Sequence, residues 1–97
     1  GRMKMFIGIG RLELLLPESL SLKDKRQVVR SIIERLKNRF NVSIAEVGHL
    51  EALKRTALGL ALVSNETAYL EKMMGKVINF VDADARVQII GLEKEIC

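Results

Sequence analysis

The chain of 97 residues is predicted to fold as one α+β domain, a four-stranded antiparallel sheet in the order 4-1-3-2 with both helices on one face. Three observations carry this reading. Apolar residues alternate along four stretches and recur at helical spacing along two others. The stretches follow one another as β-α-β-β-α-β. The middle two strands are joined across residues 48–54, a connection so short that only an antiparallel pair can use it.

The first strand is read over 5–16, MFIGIGRLELLL. Phe6, Leu12, Leu14 and Leu16 share one parity with Gly8 and Gly10, while Ile7 and Ile9 share the other with Arg11 and Glu13. Neither parity is cleanly polar, which points to a bulge or a partly covered second face. Pro17 ends the strand because it has no N–H for a ladder. Gly8 and Gly10 lie inside the strand and are not a phosphate loop; close packing of a helix or partner explains them.

Ser21-Leu22-Lys23-Asp24 reads as a capping box opening a helix over 22–39. Leu22, Val29, Ile32, Ile33, Leu36 and Phe40 fall on its apolar arc. A second strand is read over 41–47, turning at Gly48, and a third over 55–64. In the third, Leu58, Leu60 and Leu62 share one face, and Ala57, Gly59 and Ala61 the other. Asn65 or Ser64 caps a second helix through about residue 80, with Leu70, Met73, Met74, Val77 and Ile78 as its stripe. Asp82-Ala83-Asp84 makes a turn into a last strand over 85–93. This is the ferredoxin-like βαββαβ plait. Residues 1–4 read as a leftover or disordered start, with Gly1-Arg2 ahead of the start candidates Met3 and Met5, and are given no function.

Composition excludes several classes. Apolar residues at 48% and charged residues at 29% are the balance of a folded globular chain. No apolar run approaches the roughly 18 residues that span a bilayer, and the opening stretch turns polar at Arg11 and Glu13, unlike a secretory signal. No membrane association is expected. Cys97 is the only cysteine, so an internal disulfide or a two-cysteine metal motif is impossible, and a reducing cytoplasm is the expected location. Asn41-Val42-Ser43 matches a glycosylation sequon by chance. His49, the only histidine, is read as an exposed turn residue. Asp82 and Asp84 are read as turn formers, and Met73-Met74 as core. With no base expected beside a nucleophile or second titrating group, the reading is of a protein with no catalytic residues, no cofactor and no metal.

Charge is the positive feature. Net charge is +4, yet residues 21–40 alone hold seven bases against two acids. Three of the bases, Lys23, Lys25 and Arg26, stand in the first turn of the predicted helix. A helix N-terminus carries partial positive charge, so cations there cost a few tenths of a kcal/mol each. A bound phosphate would reverse that penalty. Lys23, Arg26, Arg30 and Lys37 share an arc with Glu34, while Lys25 falls within the apolar arc and is expected to overhang the sheet edge. Lys23, Lys25, Arg26, Arg30 and Lys37 are therefore the expected anion-binding surface, with RNA as the ligand. Two other chemistries of this fold do not fit. Acylphosphatases carry a glycine-rich anion loop after the first strand, where this chain reads PESLSLKDKR. RNA-recognition motifs stack bases on sheet aromatics, and none falls here in the third or fourth strand.

The run SLKDKRQVVRSIIERLKNRFNVSIAEV followed by LGLALVS resembles the YlxP-like family, a bacterial domain of unknown function. The strongest match is Ser21-Leu22-Lys23-x-Lys25-Arg26, then Phe40-Asn41-Val42-Ser43 with Ala45-Glu46. The resemblance runs from Met5 to Glu93. It implies a ferredoxin-like fold and a cytoplasmic location. The family's genes tend to sit beside translation-initiation and ribosome-binding factors, which implies ribosomal RNA or a ribosomal subunit as partner. The chain departs from its relatives in GHLEALKRTA, with His49 and Leu53 where they carry an aspartate and an aromatic. The family supplies no catalytic residue to carry over. The expected function is a non-catalytic binder of RNA or ribosomal particles. The alternative is a homo-oligomeric module, a homodimer, using the open sheet face. Ile7, Ile9, Ala57, Gly59, Ala61, Ile90 and Leu92 are expected on that face, among Arg11, Arg55, Arg86 and Gln88.

Overall fold

The computed structural model describes residues 4–97; the sequence reading of residues 1–3 lies outside the described residues. The elements are β1 (Phe6–Leu15), α1 (Leu22–Arg39), β2 (Ser43–Gly48), β3 (Arg55–Ser64), α2 (Thr67–Asp82) and β4 (Gln88–Ile96). All four strands form one antiparallel sheet in the order β2-β3-β1-β4, which is the predicted order read from the other edge.

Strand parity builds the core. Leu12 and Leu14 of β1 stand opposite Leu58 and Thr56 of β3, and with Leu60 and Leu62 they turn toward the helices. Val29, Ile32 and Leu36 of α1 and Leu70, Met74, Val77 and Val81 of α2 close over them, all buried. Each such side chain contributes about 1.5–3 kcal/mol when fully withdrawn from water. Gly8 shows why β1 carries glycine on this face. A Cβ there would lie 2.5 Å from Met74 Sδ, so the Met74 side chain of α2 lies directly against the strand backbone.

Besides shifts of one or two residues at the ends of β1 and β2, the boundaries of α2 and β4 differ from the sequence reading. Glu66, not Asn65 or Ser64, is the N-cap of α2 and supplies no side-chain bond; Ser64 Oγ instead accepts from the Glu66 N–H at 3.1 Å. β4 begins at Gln88 rather than 85 because the preceding turn claims those residues. Val87 N–H bonds Asp84 O at 3.2 Å, and Arg86 N–H bonds the Asp84 carboxylate at 3.0 Å. β4 then runs on through Glu93-Lys94-Glu95, since Gly8–Arg11 of β1 offer a ladder to any sequence. A register shift between Glu13 and Leu14 also changes the parity of β4. Leu92 consequently stands opposite Leu12 on the helix side, and Arg86 precedes the strand and donates to Ser31 of α1. Neither lies on the open face where the sequence reading put it.

Candidate functional site

The N-terminus of α1 is closed by its own residues. Ser21 Oγ accepts from Asp24 N–H at 3.0 Å, and the Asp24 carboxylate accepts from Leu20 N–H at 3.0 Å. An acid therefore already sits in the turn where the sequence suggested room for a phosphate.

Lys25 departs furthest from expectation. Its side chain is fully buried, and Nζ donates to the carbonyls of His49 at 2.7 Å, Leu50 at 3.1 Å and Arg55 at 3.3 Å. Glu46 Oε2 lies 3.2 Å from the same nitrogen and accepts from Thr56 Oγ1 at 2.7 Å. An ammonium has only three protons, and here the protein uses them all. Lys25 takes no part in an exposed anion site. It pins the β2–β3 connection to the first turn of α1, and this is why the chain tolerates a cation against the helix dipole: carbonyls and Glu46 surround it. Lys54 acts similarly from the other side, with Nζ 2.8 Å from both Pro17 O and Ser19 O.

Lys23, Arg26, Arg30 and Lys37 are exposed. Helical periodicity puts them on the flank of α1 nearest β2, about 100° from the buried stripe. Arg26, Arg30 and Lys37 line a groove of about 370 Å3 with Val29, Ile33, Glu34 and Glu46, beside the free edge of β2. Lys37 lies eleven positions after Arg26, so the row is roughly 16 Å long. Among the described residues none of these four cations has a carboxylate within the 4.0 Å of an ion pair. The surface assembled is thus a row along the helix flank, not a seat at its end.

A second polar cluster was not legible beforehand. Glu13 of β1 is held by Arg11, by His49 Nε2–H at 2.9 Å and by Arg55 at 3.6 Å, on the sheet face away from the helices. His49 reaches it because it turns there with φ 58°, at the end of β2. The sequence reading expected no base beside another titrating group, and His49 and Glu13 are such a pair. Donation by Arg11, then by His49, holds the Glu13 carboxyl below its usual range despite partial desolvation. Residues 36 apart in sequence meet here only through the sheet. Among the described residues, no three of His, Cys, Asp and Glu gather as metal ligands, and no helix is long and apolar enough to cross a membrane.

Comparison with known proteins fixes the family. The model of the family described as "Protein of unknown function (DUF503)" matches residues 7–94. The chain belongs to this family. A relative, "Uncharacterized protein YlxP" of Bacillus subtilis (strain 168), is 37% identical over 82 residues, covering 84% of this chain and 89% of that one. Among solved structures, the de novo designed protein Foldit4 aligns over 95% of this chain and 96% of its own at TM-score 0.55 and 11% identity, a likeness of fold alone. A dimeric ferredoxin-like protein from an uncultured marine organism aligns over 96% and 92% at TM-score 0.40 and 13% identity, too distant to bear on assembly.

Proposed function

We propose that this DUF503 protein is a cytoplasmic, non-catalytic binder of RNA or ribosomal particles. One observation carries the reading: Arg26, Arg30 and Lys37 stand in a row beside an open groove without acidic partners among the described residues. Lys23 extends the row at its N-terminal end. Cations spaced along one helix flank, interrupted only by Glu34, suit a polyanion whose charges repeat, because each phosphate neutralised releases counterions. Val29 and Ile33 give the groove an apolar floor on which sugar edges can rest. Co-sedimentation with ribosomal subunits over a salt series tests this. Binding should fall as salt rises, and the quadruple variant Lys23→Ala, Arg26→Ala, Arg30→Ala, Lys37→Ala should lose most of it. No binding by the native protein at low salt would refute the reading.

A second reading is pairing of two copies through the open sheet face. It is favoured by Ile9, Val47 and Val63, exposed by 42%, 52% and 59%, on a face that no helix covers.

A further inference from the structure

We infer that two copies of this chain pack sheet to sheet about a two-fold axis parallel to the strands, each seating its Ile9 in a trough of the other. The inference rests on the second reading above and commits it to a geometry. The register supplies the argument. On the open face, Ile7 and Ile9 of β1 stand directly beside Val63 and Ala61 of β3, and Ser43 of β2 stands beyond Ala61. One row further, Arg11 is beside Gly59, with Ala45 beyond. A column of large side chains thus adjoins columns of small ones.

The small columns form a trough of about 360 Å3 floored by Ala45, Gly59 and Ala61. Its lower end is already filled. A Cβ on Gly59 would lie 2.9 Å from Val47 Cγ1, and one on Gly48 would lie 2.8 Å from the Arg11 guanidinium, so both side chains lean across that end. The end over Ala61 stays open, walled on one side by Ile9. Turning a second copy about an axis parallel to the strands, between β1 and β3, exchanges the two columns and keeps the rows. Ile9 of each copy then lies over Ala61 of the other. An axis across the strands would instead set β1 on β1, large against large, with the troughs empty.

Size and charge bound the strength. With strands about 4.8 Å apart and a rise of about 3.3 Å per residue, the face measures roughly 19 by 30 Å. Pairing would cover about 1,100 Å2 in total, the low end for specific association. The cluster of Arg11, Glu13, His49 and Arg55 is satisfied within one copy and lies toward one end. Glu93 and Glu95, beside Arg11 and Ile9, make the β4 edge of the face acidic, so together they form a polar rim. Each copy carries +4, so pairing works against net repulsion. Added salt should tighten it, opposite in sign to the salt effect on RNA binding.

Sedimentation equilibrium of the full chain tests the geometry, with reductant present because Cys97 is exposed. The native protein should show a monomer–dimer equilibrium in the micromolar range that tightens from 50 mM to 500 mM salt. Ala61→Arg, which fills the trough from a solvent-facing position, should weaken it at least tenfold with an unchanged circular dichroism spectrum. Ile9→Ala removes the seated side chain and should weaken it several-fold; it serves equally if Ala61→Arg disturbs the fold. A native protein that is monomeric to 500 μM overturns both the pairing and the geometry. A native dimer unaffected by either substitution overturns the geometry alone and leaves pairing through another surface. Neither result touches the RNA reading, whose residues lie on the opposite side of the sheet.

Discussion

On the side of α1 that faces α2, Arg35 and Arg39 lie over the Phe80 ring, with guanidinium carbons 5.2 and 5.6 Å from its centroid, and Arg35 comes within 4.0 Å of Asp84. On the side that faces β2, Arg26, Arg30 and Lys37 line an open groove and pair with no acid among the described residues. Between the flanks Lys25 is buried and fully bonded. One helix therefore carries cations with three different employments: packing, loop attachment and, on our proposal, ligand binding. Net charge on the helix does not distinguish them. Partners do, and a partnered cation should show its effect in stability whereas an unpartnered one should show it in binding.

The sharpest break in that comparison is Lys25→Ala. Removing the ammonium strands Glu46 and three carbonyls in a buried site, and breaking a buried pair costs about 3–5 kcal/mol. Lys23→Ala, two residues away but exposed, should stay within about 0.5 kcal/mol of the native protein. Urea unfolding midpoints separate the two. Equal effects would show that Lys25 is not the attachment point described here. Binding should sort the flanks the other way. Arg26→Ala with Arg30→Ala and Lys37→Ala should lower the log–log salt slope by about 0.7–0.9 for each phosphate no longer neutralised, while Arg35→Ala with Arg39→Ala should leave it nearly unchanged. If both sets reduce the slope alike, the helix acts as a diffuse positive field and the groove has no special role.

A smaller effect should come from Asp84, which anchors the flank of α1 nearest α2. Its carboxylate takes two bonds from the Arg86 side chain, at 2.7 and 3.0 Å, and these hold it below its usual range against partial desolvation. A carboxyl lowered in the folded state stabilises above its unfolded pKa, and the contribution disappears as pH falls through the folded value. Asp84→Asn should thus cost about 0.5–1 kcal/mol near neutrality, after allowing for solvent screening. The difference from the native protein should vanish in acid below the ordinary aspartate range. A difference independent of pH would assign the cost to the turn instead.

Much of this was legible in the sequence, for reasons that also mark where legibility stops. α1 is bounded by a capping residue and an unbroken apolar stripe, and β3 by strict alternation, so both lie at the residues expected. Those signals are local. The strand order followed from connection lengths, which are local too. Lys25 carried a signal, its place within the apolar arc about 200° from Lys23, but nothing nearby revealed three carbonyls waiting across the sheet. The shift in β4 depends on a bulge opposite Glu13, which moved Leu92 to the helix side. His49 and Glu13 meet only after three strands have aligned. Long-range pairing decided each of these, and no window of sequence contains it.

The Glu13 cluster gives the finest test, since its members reach solvent and their effect is on titration more than on stability. Donation by Arg11 is the largest influence lowering the Glu13 carboxyl, ahead of donation and charge from His49. Arg11→Ala should therefore raise the Glu13 pKa toward the usual glutamate range, and His49→Ala should raise it as well. Carboxyl chemical shifts followed by NMR through an acid titration would read both. The sign for folding is that of any lowered acid: the ionised form is favoured in the folded state, so the contribution holds at neutral pH and fades as pH falls through the lowered value. Pairing of two copies sharpens the measurement, because closing the face would place the cluster at the edge of the interface. Titrated at dilution and again at high concentration, Glu13 should keep its value if the rim stays wet. A rise on concentration would mean that the paired face excludes water further along β1 than the seat at Ile9 requires.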